Sequence, residues 1–430
     1  MLEGHQPNFE CGGTMKVLQI YKDYYPPVKG GIEKHVNLLS NGLRSRWIEV
    51  EVLVSNTSRR MEMDCCEGIN VYKVPQLGRL SSAPLNFSMP FWIRKLASNA
   101  DILHFHFPNP TAEFSYLVSG LKKKVVVTYH SDIVRQVYLK ELYAPFMRNF
   151  LKKANVIIVT SPQYYQTSKV LCKYKDKCAI IPLGIDLNNF NNNFDRLSRT
   201  VHLRRKHGER LVLFVGRSRY YKGLHVLMEA MQKIDAKLLV VGADHNDEQV
   251  INSLGPHGLP ANVEVLGELN DETLADYFHA CDVFVLPSVE RSEAFGIVQL
   301  EAMACGKPVV STELGTGTSF VNAHEKTGLV IPPNNPDALA EAVNHLLCNP
   351  DICEQYGEGG ISRVKQFFSL EQMVDQTVAL YLKIQNGGAS FLHYQPSIEC
   401  PFGRMEEGAN RAGRRVATDL LGKVCGERSR

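Results

Sequence analysis

The sequence predicts an α/β protein built from two doubly wound parallel-sheet domains that face a central cleft. Three observations carry this expectation. The chain has 430 residues, well beyond the roughly 100–200 of one ordinary domain. Short runs rich in Val, Ile and Leu alternate with longer segments of helical period, the pattern of βαβ units. Those runs are mostly continuous rather than alternating, as strands covered by helices on both faces require.

Taken in order, the first half offers strands at Lys16–Tyr21, Glu49–Ser55, Asn70–Val74, Ile102–Phe107, Lys124–Tyr129 and Asn155–Thr160. The pattern stops at Ile181–Asp186, and the polar run Asn188–Asn193 that follows is poor in apolar anchors and rich in turn formers. A second series restarts at Leu211–Val215 and continues through Lys237–Val241, Asn262–Leu266, Asp282–Leu286 and Pro308–Ser311. From Asp337 to about Ile384 the apolar residues recur at helical spacing, which predicts helices that finish the second domain and pack back onto the first. The expected division is an N-terminal segment 1–15, a first domain 16–187, a linker 188–200, a second domain 201–368, a crossing helix 369–386 and a tail 387–430. Both ends lack periodicity and are expected to be disordered.

Composition narrows the function classes. With 44% hydrophobic and 22% charged residues the chain should form a packed core. A net charge of +3, from 48 basic and 45 acidic side chains, supplies no global field for a nucleic-acid backbone, so no nucleic-acid partner is expected. The first fourteen residues contain no apolar signal region, and no window approaches the roughly 18 apolar residues of a membrane span. A cytoplasmic location is expected. The 11 cysteines include the adjacent Cys65 and Cys66 but no Cys-x-x-Cys pair, which favours reduced thiols over a structural zinc site.

Doubly wound sheets bind ligands beyond the carboxyl ends of their strands, so the strand-end loops are where chemistry should lie. Glu293-Ala294-Phe295-Gly296-Ile297-Val298-Gln299-Leu300-Glu301 follows one such strand. A helix starting near Gly296 would aim free N–H groups at a phosphate, and a carboxylate on either side can accept from paired hydroxyls of a sugar or ribose. Arg217 and Lys222 follow the first strand of the second domain, just before a helix expected from about Leu224. A cation there opposes the helix dipole unless an anion sits between them. No Asp-x-Asp occurs, so these bases rather than a metal would neutralise a diphosphate.

Gly30-Gly31 sits between the first strand and first helix after a loop too long for a dinucleotide turn, which weakens a nicotinamide or flavin reading. His130 follows the strand Lys124–Tyr129, with Ser131 and Asp132 equally able to cap a helix. His104 and His106 share a strand face but have no metal-spaced partners and read as packing residues. Phe87–Lys95 mixes bulky apolar groups with bases, and Leu139, Tyr143, Phe146 and Phe150 recur at helical spacing near further bases. Either could meet a membrane surface, although core packing explains both more simply.

Over roughly Lys16 to Ile384, these motifs together resemble the retaining glycosyltransferases of the GT-B fold, family four. The segments His130–Gln136, Ser292–Ile297 and Leu314–Asn322 are similar to bacterial mannosyltransferases of surface-polysaccharide (O-antigen) assembly. The resemblance implies that Glu293 binds donor-sugar hydroxyls, that Glu301 holds the ribose, and that backbone amides of Phe295, Gly296 and Ile297 meet the sugar and phosphate. It further implies that Arg217 and Lys222 hold the diphosphate, that His130 contacts the sugar near the reacting carbon, and that Gly30 and Gly31 approach the phosphate on closure. Many members carry a Gly-Gly-x-x-Glu segment where this chain has Gly315-Thr316-Gly317, which puts contacts from that loop in doubt. The implied partners are a nucleotide sugar, GDP-mannose or a UDP-sugar, and a saccharide or lipid-linked saccharide acceptor, with peripheral contact at the inner membrane face. No cofactor and no metal are expected. The competing expectations are a sugar-nucleotide epimerase of the same architecture, which needs no acceptor, and a catalytically silent scaffold.

Overall fold

The structure is a computed structural model, and it describes residues 14–80, 83–133, 137–244 and 260–388. The expectations for the N-terminal segment and the tail fall almost wholly outside the described residues. Met15, at the inner edge of the former, is buried, and its carbonyl accepts from the Glu49 N–H.

The first domain is an eight-stranded sheet in the order β10-β9-β8-β7-β1-β2-β4-β3. Its strands are β1 (Lys16–Ile20), β2 (Glu49–Ser55), β3 (Glu62–Cys66), β4 (Ile69–Val74), β7 (Ile102–Phe107), β8 (Lys124–Tyr129), β9 (Val156–Val159) and β10 (Cys178–Ile180). The pairs are parallel except β3 with β4, and β5 (Arg79–Leu80) with β6 (Ala83–Pro84) forms a separate antiparallel ribbon. The second domain is a parallel six-stranded sheet in the order β13-β12-β11-β14-β15-β16. These are β11 (Leu211–Val215), β12 (Lys237–Val241), β13 (Val263–Gly267), β14 (Val283–Leu286), β15 (Val309–Thr312) and β16 (Gly328–Ile331). Strand order reverses beside β1 in the first sheet and beside β11 in the second. Each reversal splays the following loops apart and opens a crevice at the carboxyl ends of the strands.

Sequence periodicity does not reveal β3, β10 or β16. The first is a largely exposed edge strand with no need of an apolar run, and the other two span three and four residues. The stretch expected as a linker over 188–200 belongs structurally to the second domain. Phe190 is buried against Phe278, and Asn193 caps a helix Phe194–His207 whose Arg196 makes a buried ion pair with Asp276 at 3.1 Å. The chain instead crosses between the sheets at Ile185 and at Phe368–Leu370. These crossings are tied side by side, Ile185 N–H to Phe368 O at 3.0 Å and Leu370 N–H to Ile185 O at 2.9 Å.

After the second crossing, the helix Leu370–Gln385 lays Met373, Val374, Leu380, Tyr381 and Ile384 into the first-domain core against Val17, Val36, Leu39 and Leu43. Its Ser369 side chain accepts from the Gln372 N–H, an N-cap that starts the helix where the chain re-enters the first domain.

Candidate active site

A cavity of about 640 Å³ lies between the two sheets, and all ten sequence-derived candidates line it: His130, Gly30 and Gly31 from the first domain, Arg217, Lys222, Glu293, Phe295, Gly296, Ile297 and Glu301 from the second. The loop after β14 turns into the helix Ile297–Ala304 through Gly296, which is left-handed at φ 75°. A Cβ there would lie 2.6 Å from the Gln299 amide and 2.7 Å from Leu286, so only glycine admits this turn. The free N–H groups of the first helical turn therefore open on the cavity. Opposite them stands Gly31, where a Cβ would be 3.5 Å from the Ile297 side chain. At Gly30 a Cβ would collide with the Glu33 carboxylate and come within 3.0 Å of the Arg217 guanidinium. The glycine pair lets the first-domain loop come close to the Ile297 and Arg217 side chains across the cleft.

The acids and bases are paired rather than free. Lys222 Nζ is 2.5 Å from Glu293, which also accepts from the Ser288 hydroxyl at 3.3 Å. Burial pulls the Lys222 pKa down, but Glu293 and Tyr221 together more than offset it and the net shift is upward, so the ammonium persists. Glu301 is buried 3.5 Å from Lys34, which also reaches Asp271 at 3.1 Å. Burial raises the Glu301 carboxyl, and Lys34 only partly reverses that. Lys34 escaped the sequence reading, although it stands one helical turn after Gly31 and so faces the same cavity.

His130 is buried at the end of β8, with its Nε2 2.9 Å from His106 Nδ1, and His106 Nε2 is 2.8 Å from Gln19 Oε1. The reading of His104 and His106 as isolated packing residues is therefore corrected: β7 and β8 are register neighbours, which brings His106 beside His130. Burial lowers the pKa of His106 and His130 well below the ordinary range, so both are neutral. Donor atoms of His35, His106 and His130 lie within 4.8 Å of one another, the group among the described residues that could hold a metal ion. Both His106 nitrogens are already engaged, so an ion there would have to displace a hydrogen bond.

Asp132 ties its loop to neighbouring elements. It accepts from the Tyr129 and Ser168 hydroxyls, each at 2.8 Å, and Arg291 approaches it at 3.6 Å from the second domain. The loop Gly315-Thr316-Gly317 does not line the cavity. Thr316 Oγ1 donates to the Glu293 carbonyl at 2.8 Å and the Gly317 N–H to Ala294 O at 2.7 Å, so it buttresses the Glu293 loop from behind. Of the two ambiguous surface features, Phe87 and Phe91 are exposed while Met89 and Ile93 are core. Phe146 and Phe150 divide in the same way, and the side chain of Leu139 is outside the described residues.

Comparison with known proteins agrees with this architecture. Residues 29–189 match the family model Glycosyltransferase Family 4, and residues 199–363 match Glycosyl transferases group 1. The O-antigen chain mannosyltransferase C of Escherichia coli is 37% identical over 367 residues, 85% of this chain and 98% of that protein. The D-rhamnosyltransferase WbpZ of Pseudomonas aeruginosa is 38% identical over 83% of this chain and 92% of its own. Among solved structures, sucrose-phosphate synthase from Thermosynechococcus elongatus superposes with a TM-score of 0.73 at 25% identity, covering 87% of this chain and all of that one. Anabaena HepE in complex with UDP-glucose shares the fold, with a TM-score of 0.68 at 19% identity over 86% of this chain and 100% of that one. Two facing switch-point sheets, a cavity lined from both, and this identity over nearly the whole of two relatives show that the chain belongs to the family 4 glycosyltransferases and has the GT-B fold.

Proposed function

We propose that this glycosyltransferase is a retaining, metal-independent hexosyltransferase that moves mannose from GDP-mannose to a saccharide or lipid-linked saccharide acceptor in cell-surface polysaccharide synthesis. The observation that carries the reading is the cavity itself, where Arg217, Lys222 and the N-terminus of Ile297–Ala304 converge opposite the Gly30–Gly31 loop. The mannosyl- and rhamnosyltransferase relatives support the choice of sugar and pathway class. Breaking the anomeric C–O bond builds positive charge on the sugar and negative charge on the departing diphosphate. Arg217, Lys222 and the helix N–H groups oppose the second charge from positions fixed before the reaction.

Glu293 is already held by Lys222 and Ser288, which favours a role in seating sugar hydroxyls over one as a covalent nucleophile. Retention then follows from attack on the face the phosphate leaves, with a phosphate oxygen taking the acceptor proton. Neutral His130 would meet the sugar from the first domain.

A donor screen with purified enzyme and the anomeric configuration of the product tests this directly. Inversion, nucleotide release that needs no acceptor, or activity lost to a chelator and restored only by magnesium or manganese would each refute a part of it. A UDP-sugar donor is the second reading, favoured by the fold shared with the UDP-glucose complex of HepE. No helix among the described residues is long and apolar enough to cross a membrane. Exposed Phe87 and Phe91 beside Lys95 support peripheral contact at the inner membrane face. Flotation with anionic vesicles should lose the enzyme when both are changed to Ser.

A further inference from the structure

Beneath His130 runs a file of buried polar side chains that starts on the crossing helix. The Tyr381 hydroxyl is 2.5 Å from His104 Nδ1 and 3.5 Å from Gln19 Nε2. Gln19 Oε1 is 2.8 Å from His106 Nε2, and His106 Nδ1 is 2.9 Å from His130 Nε2. All five side chains are buried, so each contact has to be a donor meeting an acceptor. Burial keeps the three histidines neutral, His104 down to about 3. Each imidazole therefore has one N–H and one bare nitrogen. His35 closes the pair from the side, its ring edge-on to His106 and His130 at 5.6 and 5.3 Å.

Two opposite directions satisfy these conditions, and the contact at the Tyr381 end selects between them. The short Tyr381–His104 contact is that of a phenol donating to an imidazole nitrogen, and His104 then donates through Nε2 to the Thr128 hydroxyl at 2.7 Å. With its proton committed there, the Tyr381 oxygen accepts from the Gln19 amide, which turns the Gln19 carbonyl toward His106. His106 must donate through Nε2, so its Nδ1 is bare and must accept from His130. His130 then carries its proton on Nε2, and Nδ1 is the lone pair left for the cavity that it lines.

We propose that Gln19 and His106 are positioning residues that fix His130 as a hydrogen-bond acceptor for a donor-sugar hydroxyl, with Tyr381 setting their polarity from the helix that ties the domains together. The sugar partner rests on the function proposed above; the tautomer does not. In nitrogen-15 spectra of histidine-labelled full-length enzyme, with His130 assigned by its loss in His130→Gln, Nε2 should be protonated and Nδ1 bare. Gln19→Leu should convert these signals to a tautomer average and lower kcat roughly 5- to 10-fold, the worth of one neutral hydrogen bond, with nucleotide Kd unchanged. Tyr381→Phe removes one oxygen that does not line the cavity and should produce the same spectral change with a smaller loss of kcat, which guards against a Gln19 variant that fails to fold. A protonated Nδ1 in the parent, or His130 signals unmoved in both variants, overturns the proposal. The expected spectra in an enzyme that transfers sugar from no nucleotide donor would support the relay and refute the functional reading instead.

Discussion

Glu293 and Glu301 lie eight residues apart in sequence, yet each is paired with a cation from a different domain. Glu293 meets Lys222 of its own domain, and Glu301 meets Lys34 across the cleft. If Glu301 holds the ribose, Glu301→Ala removes a charge-assisted contact worth roughly 1.5–3 kcal/mol and should weaken GDP or UDP binding about 10- to 100-fold by calorimetry. Glu293→Gln releases the Lys222 ammonium for the diphosphate, so free nucleotide affinity should not fall while turnover collapses, because the anomeric carbon loses its orientation. Equal effects on nucleotide affinity would return both residues to ordinary helix-end charges. The candidates visible in the sequence stand in strand-end loops or in the first turns of the helices that follow them, where the order of elements alone says which way they face. Lys34, Gln19 and His106 were not visible as site residues because their significance depends on partners far along the chain, such as Glu301 for Lys34 and His130 for His106.

At the scale of elements, the buried Glu113 ties the helix Pro110–Ser119 to the helix Val137–Lys153. Its carboxyl accepts from the Asn109 N–H at 2.6 Å and from the Tyr143 hydroxyl. Burial raises its pKa from an ordinary 4.5 to about 8, against a smaller lowering by the Asn109 N–H. A folded pKa above the unfolded one means that this stability is complete below about 4.5 and is lost as pH rises toward about 8. Glu113→Gln cannot ionise, so its unfolding free energy should fall behind the parent's less and less and then exceed it as pH rises through that window, by about 2–4 kcal/mol at the alkaline end. Parallel pH profiles for the two proteins would contradict a buried neutral acid. The turn at Gly296 makes a second test. Gly296→Ala combines a left-handed backbone with contacts that an added methyl cannot make, and should cost about 1–3 kcal/mol in urea unfolding. Core strands such as β11 and β14 are legible because burial on both faces demands continuous apolar runs. Edge and three-residue strands carry no such demand, and the helix Phe194–His207 hides because its apolar Phe194, Leu197 and Val201 are exposed while Arg196 and His207 are buried, the reverse of the usual pattern.

At the scale of the whole molecule, the two domains meet inside the cavity through the buried Glu301–Lys34 pair and touch along both of its rims, where the contacts are individually weak. On one rim Lys29 approaches Glu268 at 3.6 Å and Lys34 approaches Asp271 at 3.1 Å. On the other, Arg291 donates to Thr167 Oγ1 at 3.0 Å, Thr167 Oγ1 donates to the Gly315 carbonyl at 2.5 Å, and the Arg291 guanidinium lies over the Tyr164 ring at 5.2 Å. Exposed pairs of this kind are worth about 0–1 kcal/mol each and weaken with salt. Closure therefore rests on a small sum that donor binding can complete, with the paired crossings at Ile185 and Ser369 as the hinge rather than the polar run 188–193. Arg291 does not line the cavity, so Arg291→Ala should disturb closure without touching the donor. Loss of about 1–1.5 kcal/mol of closing energy would cut the closed fraction, and with it the apparent donor affinity, by up to roughly 10-fold. Small-angle scattering should show a larger radius of gyration for the free variant, returning to the parent's value at saturating donor. A radius and donor KM both equal to the parent's at low salt would show that Arg291 bears no closing energy and that the opposite rim or the hinge holds the domains together.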